Sequence, residues 1–170
     1  MIEAMKEMLL GIGNILNGDD GIGIYIAQTL NKYLKNVRKE KKRAKIEDTR
    51  RNIIVVDCGT TPENYTSIIR KHRPDTLVLV DAADMGLSPG SYRIIPPEKI
   101  EAMHFSTHNI PLSIFISYVN QFCGEVVLIG IQPDRMDTGT ALSSVVQNNG
   151  DQVAAIIMEE RLHEIKPLET

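Results

Sequence analysis

Four short apolar runs, Met8 to Ile12, Asn52 to Asp57, Thr76 to Asp81 and Glu125 to Ile131, recur along the chain with helix-like stretches between them. The last three are nearly continuous in Val, Ile and Leu, as strands covered on both faces must be. Strands of that kind joined by helices imply right-handed crossovers. The expected fold is α/β: a three-layer α/β/α sandwich with a mostly parallel twisted sheet, phosphorylase/hydrolase-like in form. The 170 residues suit one core and show no internal repeat, so residues 1–170 are read as a single domain.

The intervening stretches place the helices. After Asp19-Asp20-Gly21, the residues Ile22, Ile24, Ile26, Ala27, Leu30 and Leu34 recur near helical spacing, which predicts a helix to about Lys35. Thr61-Pro62-Glu63-Asn64 is a helix start with proline in the first turn. Pro89-Gly90 is a turn; Ser91 to Ile95 reads as an extra short strand leading to a short helix near Pro97 to Met103. Pro111 to Gln121 reads as a helix, and Ser143 to Glu164 as the last one, weakened at Asn148-Asn149-Gly150.

No apolar run approaches the roughly 20 residues a membrane-spanning helix needs. The start, Met1 to Glu7, has Glu3 and Glu7 beside Lys6 and no leader pattern, so a cytoplasmic address is expected. Cys58 and Cys123 lie far apart, without zinc or redox spacing, and read as reduced thiols. Asn36 to Arg51 carries eight Lys or Arg against three Asp or Glu, a segment of +5 in a chain of −3. It lacks interleaved aromatics for base stacking and joins two apolar segments, so it reads as a solvated linker rather than a nucleic-acid patch.

Open parallel sheets bind ligands beyond the carboxyl ends of their strands. There the chain is unusually polar: Asn14 and Asp19-Asp20 follow the first run, Asp81 and Asp84 end the third, and His104 and His108-Asn109 lie farther along. The glycine-rich stretch Gly11 to Gly23 is no phosphate cradle, because position 16 is Leu rather than Gly and Asp19 stands where a phosphate loop needs Lys. Two carboxylates would repel phosphate and welcome a cation. Asp20, Asp81 and His108 offer two oxygens and an imidazole nitrogen, a donor set for zinc, nickel, manganese or iron with positions left open. Taken singly, Asp20 would serve as a helix cap, Asp81 as a turn former and His108 as a cap or surface residue; their convergence on one rim is what favours a metal role. His104 stands four residues before His108, but the glutamate of the zinc-peptidase pattern is missing. His72 and His163 read as surface residues. Cys58 is the best-placed nucleophile, although buried packing describes it better.

These residues resemble the nickel-iron hydrogenase maturation endopeptidases over most of the chain. The motifs are Gly11-Ile12-Gly13-Asn14-Ile15-Leu16-Asn17-Gly18-Asp19-Asp20-Gly21-Ile22-Gly23, Asp57-Cys58-Gly59-Thr60-Thr61-Pro62-Glu63, Val80-Asp81-Ala82, Pro89-Gly90, Thr107-His108-Asn109 and Gly130-Ile131-Gln132-Pro133. Asp84-Met85-Gly86 and Gly130 to Pro133 look more like the branch serving formate hydrogenlyase or related energy-converting hydrogenases.

The resemblance implies an aspartic-type endopeptidase that removes a C-terminal extension from the hydrogenase large-subunit precursor. It implies recognition of nickel already inserted in that precursor, the protease holding no metal of its own at rest. By motif position, the metal-contacting residues fall on Asp20, Asp81 and His108, and catalysis on Asp20 and Asp81. A monomer with neither nucleic-acid nor membrane partners is expected. The charged stretch around Arg38 to Arg51 looks longer than the family's. Two other readings use the same residues: a hydrolase with its own zinc, and a non-catalytic nickel-dependent chaperone.

Overall fold

A computed structural model describes residues 5–45, 52–103, 105 and 109–169. In chain order it contains β1 (Lys6–Gly11), α1 (Ile22–Ala44), β2 (Asn52–Asp57), α2 (Thr66–His72), β3 (Thr76–Ala82), β4 (Tyr92–Ile94), α3 (Pro97–Ile100), α4 (Leu112–Val119), β5 (Glu125–Ile131) and α5 (Ser144–Met158). Short 3-10 turns at Gly18–Gly21, Pro62–Tyr65 and Leu162–Glu164 complete the set.

The sheet order is β2-β1-β3-β5-β4. β1 pairs in parallel with β2 and β3, β3 in parallel with β5, and β4 runs antiparallel to β5 at the edge. Alternation along each strand splits the core in two. Leu9, Val78, Val80 and Ile129 pack with Ile22, Ile26 and Leu30 of α1 and Val146, Val153 and Ile157 of α5. Met8, Leu10, Leu77, Leu79 and Leu128 pack on the opposite side with Ile69 of α2, Ile100 of α3 and Leu112, Phe115 and Val119 of α4. The expected three-layer α/β/α sandwich is therefore present, and β3 at its centre is buried at all seven residues.

Helix limits differ from the reading of the sequence at two places. α1 does not stop near Lys35 but continues to Ala44, so much of the supposed linker is helix; residues 46–51 lie outside the described residues. Lys and Arg are good helix formers, and helical spacing alone marks only the part of a helix that meets a core. α5 ends at Met158 rather than Glu164, and it runs unbroken through Asn148-Asn149-Gly150. Gly150 lets α5 lie close to α1: a Cβ there would come within 2.6 Å of the end of the Ile22 side chain, which would have to shift.

Candidate active site

The strand order sets the place of the site. The connection from β1 leads to α1 on one face of the sheet, and that from β3 leads to α3 and α4 on the other, while β1 and β3 are neighbours. Adjacent strands whose connections depart to opposite faces leave a crevice between their carboxyl ends, where open α/β sheets bind ligands. Asp20 lies in the connection after β1, and Asp81 is the penultimate residue of β3.

Close backbone packing draws the two loops together. The Ile12 amide donates to the Val80 carbonyl at 2.9 Å, and the Gly18–Gly21 turn packs against β3. Gly23, in the first turn of α1, sits on the same carbonyl: a Cβ there would come 2.3 Å from Val80 O and 2.2 Å from Ile12 O. Gly13, at φ +147°, lies under the Asp20 carbonyl, which a Cβ would approach to 1.9 Å. No side chain fits at either position, so the motif's glycines seat the Asp20 turn directly on the backbone of β1 and β3.

Asp20 is 1% exposed and Asp81 0%. By strand alternation Asp81 continues the row of Leu77 and Leu79, facing the layer of α2, α3 and α4. His108 and His104 lie outside the described residues. Phe105 and Leu112, which flank His108 in sequence, belong to the core on Asp81's side of the sheet. His72 and His163 are exposed, as expected.

Asp19 and Asp20 are adjacent yet differently used. The Asp19 carboxylate is fully buried and accepts the amides of Asp134 (2.9 Å), Arg135 (3.0 Å) and Ser143 (2.6 Å) and the Ser143 hydroxyl (2.9 Å). Burial opposes its ionisation, but donation from the backbone of Arg135, Ser143 and Asp134 and from the Ser143 hydroxyl outweighs this and holds its pKa below the usual carboxylate range. Asp19 thereby ties the loop after β1 to the loop after β5 and to the start of α5. Ser143 precedes α5, but its hydroxyl makes no cap bond and donates to Asp19 instead.

Gln132 performs the same service for the loop after β3. Its Oε1 accepts the Met85 and Leu87 amides at 2.7 and 3.2 Å, and its Nε2 donates to Asp84 Oδ1 at 3.2 Å. The Asp84-Met85-Gly86 and Gly130-Ile131-Gln132-Pro133 motifs are thus physically linked. Sequence spacing could not show it, since the partners lie 45 to 48 residues apart. Asp84 itself is exposed and engaged by Gln132 and the Gly86 amide.

Cys58 is buried and its thiol is pushed well up, by burial first and then by the charges of Asp57 and Glu63, so it stays protonated and is a poor nucleophile. Burial also raises Cys123, to about 11. Among the described residues no three His, Cys, Asp or Glu side chains form a metal-sized cluster.

The fold defines a class: an open α/β/α protein whose switch point lies between β1 and β3, with Asp20 and Asp81 buried beside it. The family model described as hydrogenase maturation protease matches residues 26–160, a span that begins just past Asp20 and includes Asp81 and His108. The hydrogenase 3 maturation protease of Escherichia coli is 40% identical over 131 residues, 76% of this chain and 74% of that protein. A solution structure of an Escherichia coli endopeptidase superposes with TM-score 0.75 at 34% identity, covering 97% of each chain. The crystal structure of a [NiFe] hydrogenase maturation protease from Thermococcus kodakarensis superposes with TM-score 0.75 at 29% identity, covering 92% of each. This chain belongs to the hydrogenase maturation protease family and is a hydrolase of peptide bonds.

Proposed function

We propose that the chain is an aspartic-type endopeptidase of the cytoplasm that, as a monomer, removes the C-terminal extension of a nickel-iron hydrogenase large-subunit precursor once nickel has been inserted. The observation that carries this reading is the burial of Asp20, in the connection after β1, and of Asp81, at the end of β3, on the two sides of the switch point in a chain of this family. Buried carboxylates are stabilised by a cation or a proton. A metal ion borne by the substrate is such a cation, and His108 would add a nitrogen donor.

In this reading nickel belongs to the substrate and acts as a checkpoint. Only a loaded precursor contributes the metal–carboxylate contact that fixes the scissile peptide bond against the enzyme. Asp20 and Asp81 hold the metal end of the substrate, and one of them takes the proton of the attacking water. No helix among the described residues is long and apolar enough to cross a membrane.

Nickel-loaded and nickel-free precursor, each mixed with the purified protein and followed by the mobility shift of the large subunit, test the proposal. Cleavage of the loaded form alone is expected. Asp20→Ala, Asp81→Ala and His108→Ala should each lower processing by about 10²- to 10³-fold, the loss typical of removing one group that stabilises a reacting centre. Equal cleavage of both precursor forms, or full activity in all three variants, would overturn it.

A further inference from the structure

α1 is far longer than the sheet it covers. Its 23 residues span about 35 Å, whereas the six-residue strands β1 and β2 span about 20 Å. Its buried residues end at Leu30; from Asn31 to Ala44 none is fully buried. The distal half therefore leaves the body of the protein at the end of the sheet opposite Asp20, and its tip lies roughly 30 Å from Asp20 along the helix axis.

This arm is strongly basic. Lys32 to Lys45 carries eight Lys or Arg against Glu40 alone, net +7, which leaves −10 for the rest of a −3 chain. Lys35, Lys39 and Arg43 are successive i, i+4 neighbours, as are Arg38 and Lys42, and all five are exposed. Arg161 is ion-paired with Glu159 and Glu164, but among the described residues these five make no such pair. Like charges at that spacing repel, so the arm bears a cost in helix stability with little packing to offset it.

We propose that the distal half of α1 docks an acidic patch on the folded body of the protein substrate, away from the segment that is cut. This rests on the reading of the chain as a peptidase of a folded precursor. A membrane surface is disfavoured because an interfacial helix needs an apolar face, and from Lys35 to Lys45 only Val37 and Ala44 are apolar. Nucleic acid is disfavoured because the −10 body repels phosphate and no aromatic follows Tyr33 in the arm. A folded acidic protein meets the arm without either obstacle, and a contact remote from the reacting bond strengthens binding without taking part in the chemistry.

The test compares the full chain with the triple variant K35E/K39E/K42E and the charge-preserving K35R/K39R/K42R, measuring both binding of nickel-loaded precursor and its cleavage. The reversal should weaken binding and raise KM by about tenfold or more, leave kcat within twofold and flatten the salt dependence, while the arginine variant behaves as wild type. Unchanged binding and KM in the reversal variant would overturn the proposal. So would wild-type protein that binds duplex DNA or phosphatidylserine vesicles at physiological salt as tightly as precursor, or that self-associates through the arm, shown by wild-type oligomers in sedimentation that the reversal disperses. Binding is measured independently of cutting. Precursor that binds the arm but is never cleaved would therefore refute the peptidase reading and leave the docking surface standing.

Discussion

The two halves of α1 are one continuous helix governed by different physics. From Ile22 to Leu30 the helix is pressed onto β1, β2, β3 and α5, so closely at Gly23 that no side chain fits. Beyond Leu34 it is mostly exposed and basic, and helix propensity together with the helix dipole holds it where packing does not, since Lys41, Lys42 and Arg43 stand in the last turn near the negative pole. The first half positions chemistry and tolerates almost nothing; the second presents charge and should tolerate much.

That contrast can be broken at graded points. The largest effect is expected at Gly23→Ala, whose methyl group would meet two backbone carbonyls; a loss on the order of 3–5 kcal/mol in urea unfolding is expected, with loss of processing. Unfolding free energy within about 0.5 kcal/mol of wild type would show that the helix start can slide and that the glycine is dispensable.

Asp19→Asn comes next. It replaces one carboxylate oxygen with a donor facing amides that themselves donate, so a loss of about 2–3 kcal/mol is expected at neutral pH. The sign with pH follows from the depressed pKa in the folded state: Asp19 contributes stability above its unfolded pKa of about 3.9, and that contribution disappears as pH falls through the lower folded value. Wild type should therefore lose stability steeply below about pH 4 and the variant less steeply. Parallel acid-unfolding curves would contradict this account of Asp19.

Leu34→Ala sharpens the boundary, since Leu34 is only half-buried at the fringe of the core. It should cost about 1–2 kcal/mol, below the 2–5 kcal/mol typical of fully buried leucine. The smallest effect belongs to Lys39→Glu, which converts two repulsive i, i+4 pairs, with Lys35 and Arg43, into attractive ones. A gain of a few tenths of a kcal/mol in thermal unfolding is expected; a loss above about 1 kcal/mol would mean that the distal half is packed after all.

Much of the architecture was legible in the chain because buried parallel strands must be apolar on both faces: the four runs lie in β1, β2, β3 and β5. The glycines around Asp19-Asp20 were equally plain, and motif position singled out Asp20, but the structural task of Asp19 was not legible. Asp19 is explained by Ser143 and the Asp134 and Arg135 amides, more than 110 residues away. The length of α1 was illegible for the opposite reason: where a helix leaves the core there is no apolar stripe to read.

By itself the sequence determined the layer type, the polar loops at the strand ends and the family, since these follow from local periodicity and from motif order. Tertiary structure alone decided that β1 and β3 are neighbours whose connections part to opposite faces. Strand order depends on which hydrophobic surfaces meet after collapse, a long-range choice that no short stretch encodes, and it brings the loop of Asp20 beside the strand of Asp81.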